Sequence, residues 1–208
     1  MNTQEVSFSS SCRFLGVYLD DNLNFANHIS HIVNKLSRST GILYKIRDFL
    51  PTQAKLSYYY AFMYPYLSYN IVVWGGTSMV YFNKLIVQQK RIIRILGKVP
   101  PRTHTSELFH GFGILKLVDL YKFQVLIYMY KAMSENRFTI QHTVNTRQRN
   151  LAVPQFHRLT TTQRAISFVG PTLWNKIPIE IRSERTLSLF KRSLKNYFLN
   201  LYIPTTLT

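Results

Sequence analysis

Prolines and paired glycines divide the first half of the chain into segments of helix length, and this spacing constrains the fold more than any other feature. Pro51, Gly75-Gly76 and Pro100-Pro101 follow three such segments. Proline lacks the amide hydrogen that a helix needs, and glycine favours helix ends, so each of these positions predicts a helix boundary. Three helices in a row indicate a bundle.

The three segments differ in how strongly they specify a helix. The first, 25–50, keeps one apolar face and predicts a long amphipathic helix. The second, 52–74, is predicted as a helix that Pro65 kinks. The third, 80–97, is predicted as an amphipathic helix with Gly97 as its C-cap. The apolar face of the first helix consists of Ile29, Ile32, Val33, Leu36, Leu43, Ile46 and Leu50.

Helical patterns continue beyond the proline pair. The stretch 104–107 has the residue types that cap a short helix, and 117–133 is apolar almost all round, which predicts a central helix. The stretch 134–149 is polar and lacks periodicity, so it predicts a linker. A last amphipathic helix is predicted over 187–201. Its apolar positions are Leu187, Phe190, Leu194, Tyr197, Phe198 and Leu201.

Strand character is confined to short stretches near the two ends. The β-prone segment 6–19 predicts an amino-terminal hairpin, while 151–154 and 164–169 predict two short strands, followed by a turn at 174–178. The expected fold is therefore mainly α. We divide it into a short β hairpin (1–24), a helical bundle (25–135), a linker (136–150) and a small mixed α/β carboxy-terminal region (151–208).

The charge balance points to a polyanionic partner. Lys and Arg number 26 against 9 Asp and Glu, which gives a formal net charge of +17, and the chain also holds 14 Tyr and 14 Phe. Cations displace counterions from phosphates and aromatic rings can stack on bases, so nucleic acid is the first expected partner. A membrane surface is the second. The longest apolar stretch, 56–76, contains many tyrosines and predicts a buried helix rather than a membrane span.

The third helix carries the best candidate binding residues. Lys84, Arg91 and Lys98 recur every seven positions, and Lys90 and Arg94 lie beside them. Such a stripe can follow a phosphate backbone, and the alternative is a solvated helix face. We interpret it as the nucleic-acid-binding site. A weaker version of the same pattern is formed by Lys191, Arg192 and Lys195 on the last helix.

The motif Tyr18-Leu19-Asp20-Asp21 has the Tyr-x-Asp-Asp form that polymerases use to hold two divalent ions. Two-metal phosphoryl transfer needs a further carboxylate from a neighbouring strand, and of the 9 acidic residues only Glu5 precedes the pair. We therefore interpret the motif as a strand end followed by an Asp-Asp-Asn turn. No catalytic residue, metal ligand or cofactor is assigned to this chain.

Other residues that could carry chemistry have structural interpretations. Cys12 is the only cysteine, so neither a disulfide nor a cysteine-rich zinc site can form within the chain. His28 and His31 lie three apart without further ligands, and we expect them on a helix surface. Six tyrosines could stack on bases, but at helical spacing we expect core packing. They are Tyr58, Tyr59, Tyr60, Tyr64, Tyr66 and Tyr69.

A series of short motifs in a fixed order resembles jockey-like non-LTR retrotransposon reverse transcriptases over nearly the whole chain. The amino-terminal part of this series is Phe14-Leu15-Gly16-Val17-Tyr18-Leu19-Asp20, Asn24-Phe25, His28-Ile29, Tyr69-Asn70, Trp74-Gly75, Gln88-Gln89-Lys90-Arg91 and Arg94-Ile95. The remainder is His104-Thr105-Ser106, Leu108-Phe109, Asn145-Thr146-Arg147, Gly170-Pro171, Leu173-Trp174-Asn175, Ile177-Pro178 and Phe190-Lys191.

The resemblance implies a role for each part of the chain. Phe14, Leu15 and Gly16 would belong to the primer grip at the end of the palm, and the helical bundle would be the thumb. The parent enzyme would use Mg²⁺ for RNA-directed DNA synthesis, and the partner would be RNA/DNA template-primer or RNA. Met1 stands just before the primer-grip strand, so we expect the fingers and most of the palm to be missing and this chain not to be an enzyme by itself.

Three alternatives stay open at this point. The chain could complete a working polymerase with palm and fingers encoded elsewhere, or be a structural module that packs against those domains. It could also be a degenerate remnant without autonomous activity. An intracellular location, nuclear or cytoplasmic, is expected in each case.

Overall fold

The computed structural model describes residues 10–135, 152 and 163–203. It begins with the predicted hairpin, in which β1 (Ser11–Phe14) pairs antiparallel with β2 (Val17–Asp20). The two-residue turn between them has positive φ at both positions, 46° at Leu15 and 83° at Gly16. Turns of this handedness match the twist of paired strands, and glycine adopts the second position without strain.

Helix α1 (Ala26–Ile46) follows directly from the end of the hairpin. The amide of Leu23 donates to the carbonyl oxygen of Asp20 (3.0 Å), which confirms the predicted turn. The Asp20 carboxylate accepts hydrogen bonds from the amides of Asn24 (2.7 Å) and Ala26 (3.3 Å). Since first-turn amides have no partner within a helix, this carboxylate stabilises the start of α1.

The segment 52–74 forms three helices, so the prediction of one kinked helix is wrong. They are α2 (Thr52–Phe62), α3 (Tyr64–Ser68) and α4 (Ile71–Trp74). Pro65 lies in the first turn of α3, where the missing amide is tolerated. Asn70 has a φ of 48°, which separates α3 from α4, and Gly75 follows α4 as predicted.

Helix α5 (Met79–Leu96) confirms the third predicted helix. Gly97 occupies the C-cap but has a φ of −81°, and the left-handed residue is Lys98, with a φ of 52°. The amides of Lys98 and Val99 donate back to the carbonyls of Ile95 (3.2 Å) and Arg94 (3.1 Å). This is the Schellman arrangement, which fixes where Lys98 leaves the helix.

Helix α7 (Leu117–Ser134) is central, as predicted, and follows the short helix α6 (Ser106–Gly111). It contacts α3, α4 and α5 and also two carboxy-terminal helices. Buried Gln89 of α5 accepts from the Leu117 amide (2.8 Å) and donates to the Leu115 carbonyl (3.0 Å). These two bonds attach the start of α7 to α5.

The described carboxy-terminal part, 163–203, consists of helices and turns. The helices are α8 (Ile166–Trp174), α9 (Ile179–Arg182) and α10 (Leu187–Asn200). The predicted strand at 164–169 is therefore wrong, whereas the turn at 174–178 and the last helix are confirmed. Gly170 packs so closely on Met129 of α7 that a Cβ would lie 2.5 Å from its sulfur. A side chain at position 170 would therefore force α8 away from α7.

The remaining predictions concern two carboxy-terminal segments and a possible membrane span. The linker 136–150 and, apart from Ala152, the strand 151–154 lie outside the part of the chain that the structure describes. Ala152 exchanges two hydrogen bonds with the Asn175 side chain, at 3.0 and 2.8 Å. Among the described helices, none combines the length and the apolar character that crossing a bilayer requires.

Candidate nucleic-acid interface

Three of the five predicted cationic residues converge on one open groove. Arg91 and Arg94 of α5, with Lys98 just beyond it, line a cavity of about 690 Å³ together with Arg47, which follows α1. We call this surface the basic groove and define it by Arg47, Arg91, Arg94 and Lys98. The other lining residues are Tyr44, Asp48, Ile95, Val99, Pro100 and Pro101.

The groove exists because α1 and α5 pack together more extensively than any other described pair of helices. Their buried faces, including Leu36 and Leu43 on α1 and Ile92 on α5, hold the carboxy-terminal ends of both elements at the groove. The Arg94 Nε donates to the Thr103 carbonyl (2.9 Å), which fixes that guanidinium. Periodicity within one segment could not reveal Arg47, because it belongs to a different helix.

The charge in the groove is predominantly positive. Asp48, the acid among the lining residues, contacts both Lys98 Nζ and Arg47 Nε at 3.3 Å. The hydrogen bond from Lys98 and then that from Arg47 lower the pKa of Asp48, which is therefore ionised at neutral pH. Both ion pairs are exposed, so they orient the cations without adding much stability.

A further cation stands behind the groove and was missed from the sequence. Lys55 of α2 is 2% exposed, and its Nζ donates to the carbonyl of Leu96 at the end of α5 (2.9 Å). A positive charge is favourable at the carboxy-terminal end of a helix. Burial, followed by repulsion from Lys98, lowers the pKa of Lys55.

The other predicted cations do not join the groove. Lys84 is exposed, with its Nζ 5.6 Å from the centre of the Tyr81 ring, and Lys90 lines a separate cavity with Lys116. The stripe that the sequence predicts on α5 is thus divided between two surfaces. On α10, Lys191 and Arg192 are exposed.

The hairpin that resembles a primer grip lies at the other end of α1. Phe14 and Leu15 are 62% and 71% exposed. The Tyr69 hydroxyl donates to the Leu15 carbonyl (2.7 Å), and the Tyr69 ring lies against Gly16. Tyr69 therefore holds the turn in place while the Phe14 and Leu15 side chains remain exposed.

The tyrosine cluster is only partly core. Tyr59 is fully buried, and burial raises its pKa. Tyr58 and Tyr64 are half-buried, as the core prediction requires. Tyr60, Tyr66 and Tyr69 are exposed, so for these three the core prediction is wrong. Tyr66 lies on the separate short helix α3 and Tyr69 is its C-cap, whereas Tyr60 occupies an exposed position of α2.

The prediction that His28 lies on a helix surface is also wrong. His28 is 3% exposed and packs against the Trp74 ring, with 5.6 Å between ring centres. Burial and the nearby His31 lower its pKa to about 4. Neither ring nitrogen has a hydrogen-bond partner among the described residues. The hairpin and α4 cover this face of α1, which the periodicity of α1 alone could not reveal.

The described residues do not fit a two-metal polymerase site. Asp20 uses its two carboxylate oxygens to bind the amides of Asn24 and Ala26, while Asp21 is exposed and accepts from Asn22 (3.0 Å). No group of three or more His, Cys, Asp or Glu side chains gathers within the described part of the chain. No catalytic step is therefore derived through a metal ion.

Two curated proteins match the chain in sequence. The RNA-directed DNA polymerase from mobile element jockey of Drosophila melanogaster is 24% identical over 123 residues, which covers 57% of this chain. The polymerase of the same name from Drosophila funebris is 27% identical over 122 residues, again 57% of this chain. The chain is a distant relative of the jockey polymerases.

The match to the jockey polymerases is limited in extent. It spans 13% of the length of each of these relatives. No family model matches the chain, and no solved structure matches it either. The two curated matches confirm the expected relationship to jockey-like reverse transcriptases at the level of sequence, over 57% of the chain rather than nearly all of it.

Proposed function

We propose that the chain binds RNA/DNA template-primer, or RNA, through phosphate contacts in the basic groove. The observation that carries this proposal is the convergence of Arg47, Arg91, Arg94 and Lys98 on one open groove whose lining includes one acid, Asp48. Four cations from two elements can contact successive phosphates, and a net charge of +17 attracts a polyanion from a distance.

The chemistry of the groove favours phosphates over bases as the recognised groups. Guanidinium groups bind phosphate oxygens in pairs, and a lysine adds a point charge. Phosphate contacts position a nucleic acid without reading its sequence. The jockey relatives are named RNA-directed DNA polymerases, so a duplex of RNA and DNA is the ligand that this relationship suggests.

Binding of this kind needs no cofactor, and we propose none for this chain. A nuclear or cytoplasmic location would bring the chain to such a ligand. Lys84 and Lys90, which lie away from the groove, could extend the contact along α5, but the groove residues are proposed as the principal site.

The test compares two double variants that remove the same charges. Arg91→Gln/Lys98→Gln removes one arginine and one lysine from the groove, and Lys176→Gln/Arg185→Gln removes the same types from exposed positions that do not line it. Arg94 is left intact because its bond to Thr103 supports the local fold. Affinity for a labelled RNA/DNA hybrid is measured across a salt series.

The groove variant is expected to reduce both the affinity and its salt dependence. Each lost phosphate contact lowers the slope of log affinity against log salt by about 0.9 for B-form DNA, so a reduction near two is expected. The Lys176→Gln/Arg185→Gln variant should change the slope little. If both variants lower the slope equally, the chain binds through its overall charge and the proposed site is wrong.

A second candidate function is docking to further parts of a polymerase through the hairpin. The exposed Phe14 and Leu15, with Val73 54% exposed, are the observation that favours it, because apolar surface of this kind marks interaction sites. Polymerase activity that appears only when the chain is mixed with palm and fingers domains would support this candidate. Phe14→Ser/Leu15→Ser should then abolish the gain.

A further inference from the structure

Two exposed aromatic side chains, Tyr44 and Phe49, belong to the segment that contributes Arg47 and Asp48 to the basic groove. Phe49 is 86% exposed, more than any other large hydrophobic residue in the described part of the chain, and Tyr44 is 51% exposed. Tyr44 lines the groove itself. Phe49 directly follows Asp48, which pairs with Lys98, so the Cα atoms of Phe49 and Asp48 are about 3.8 Å apart.

Phe49 projects from an ordered turn. Its amide donates to the Ile46 carbonyl (3.1 Å), and the amide of Leu50 donates to the same oxygen (3.2 Å). The Arg47 guanidinium lies 3.9 Å from the centre of the Tyr44 ring, so one face of that ring is covered by a cation. The backbone of this segment is fixed, while the Phe49 ring faces solvent.

An exposed ring gains nothing from folding, since aromatic side chains stabilise a protein when they are buried. Beside a phosphate-binding groove, such a ring can stack on a nucleic-acid base, and this combination of cations with aromatic rings is typical of single-strand binding. In a duplex the bases already stack on each other and are not available. A protein partner suits the site less, because the groove presents four cations and one acid.

We propose that Phe49, together with Tyr44, forms a stacking site for unpaired bases of a nucleic-acid strand whose phosphates occupy the basic groove. This inference rests on the proposed function, since the groove must bind phosphates for the ring to meet a base. The stacking site would favour a single strand, or the single-stranded extension of a duplex, which the cations alone do not distinguish from a duplex.

The test separates base contacts from phosphate contacts. Binding of the full chain to an oligodeoxyadenylate is compared with binding to an abasic strand of the same length, which keeps the phosphates and lacks the bases. The wild type is expected to bind the intact strand about tenfold more tightly, as one stacked base typically contributes. Phe49→Ala and Phe49→Leu should remove this preference without changing the salt slope, and Phe49→Tyr should keep it.

Tyr128→Ala serves as the matched control, because Tyr128 is exposed on α7 and does not line the groove. Equal binding of the wild type to both strands would overturn the stacking site while leaving the phosphate site intact. Binding to neither strand would also overturn the stacking site, while the titration with the RNA/DNA hybrid decides the proposed function separately. A Phe49→Leu variant that behaves as wild type would also contradict the stacking role. So would a Phe49→Ala variant that keeps the base preference but loses binding to phosphatidylserine vesicles.

Discussion

The two ends of α1 differ in how they are built. At the amino-terminal end, neutral groups are buried: His28 packs on Trp74, and the Trp74 Nε1 donates to the Tyr69 carbonyl (2.8 Å). At the carboxy-terminal end, charged groups are exposed, with Arg47 and Asp48 paired to each other and Asp48 to Lys98. Packing at the first end stabilises the fold, whereas the second end exposes charge to solvent.

Because of this difference, we expect residues that determine the free energy of unfolding and residues that determine groove affinity to lie at opposite ends of α1. Buried packing contributes several kcal/mol at a single site, whereas exposed ion pairs contribute about 0–1 kcal/mol. Substitutions at the amino-terminal end should therefore change the free energy of unfolding and leave groove affinity intact. Substitutions at the carboxy-terminal end should do the reverse.

The largest effect is expected from Trp74→Ala. Trp74 is fully buried, so its removal leaves a cavity and costs about 3–5 kcal/mol of unfolding free energy. Urea denaturation followed by circular dichroism measures this loss. Trp74→Phe keeps an aromatic ring and loses the bond to Tyr69, so it should cost less. A loss below about 1 kcal/mol for Trp74→Ala would contradict the assignment of this end as the source of stability.

The pH dependence of stability should come next in size. The pKa of His28 is about 4 in the folded state against an ordinary value of 6.5, so below pH 6.5 the unfolded chain binds the proton first. The unfolding free energy should therefore fall as the pH drops from about 6.5 to about 4, by up to about 3 kcal/mol. Above pH 6.5 this contribution is fully present.

His28→Phe isolates the effect of this one imidazole. Phenylalanine keeps a ring against Trp74 but cannot titrate, while His31 and every carboxylate remain. The difference in unfolding free energy between wild type and variant should shift in favour of the variant as the pH falls. If the unfolding free energies of the two proteins change equally with pH, His28 binds its proton as easily in the folded state as in the unfolded chain, and the prediction is wrong.

The elements that were predicted correctly depend on local sequence. The helices α1, α5 and α10 follow from the spacing of apolar residues, which is set by the geometry of the helix itself, and α7 follows from a segment that is apolar almost all round. The hairpin follows from a β-prone segment with a glycine at the turn. The division of 52–74 into three helices could not be predicted in this way. It depends on the left-handed conformation of Asn70 and on the hydrogen bond from Trp74 Nε1 to the Tyr69 carbonyl.

The candidate site was predictable only where it lies on one helix. Arg91 and Lys98 were identified from the seven-residue spacing and Arg94 from its place beside them, and the structure brings the three together. Arg47 and Lys55 were missed because tertiary packing brings them to the end of α5, and packing of distant segments leaves no periodic signal in either one. For the same reason His28 was predicted at the surface, although the hairpin and α4 bury it.

The smallest and most discriminating prediction concerns Asp48. Asp48→Asn removes the carboxylate that pairs with Arg47 and Lys98, so two groove cations become available to phosphates. Affinity for the RNA/DNA hybrid should rise roughly threefold at low salt and converge with wild type at high salt, since exposed pairs are weak and screened. The unfolding free energy should hardly change.

Asp21→Asn is the matched control for this substitution. Asp21 is exposed near the opposite end of α1, and the same change of charge occurs there away from the groove. An equal rise in affinity for both variants would mean that only the net charge matters. Weaker binding by Asp48→Asn would mean instead that the ion pairs hold Arg47 and Lys98 in the geometry that phosphates require, so that the acid belongs to the binding site.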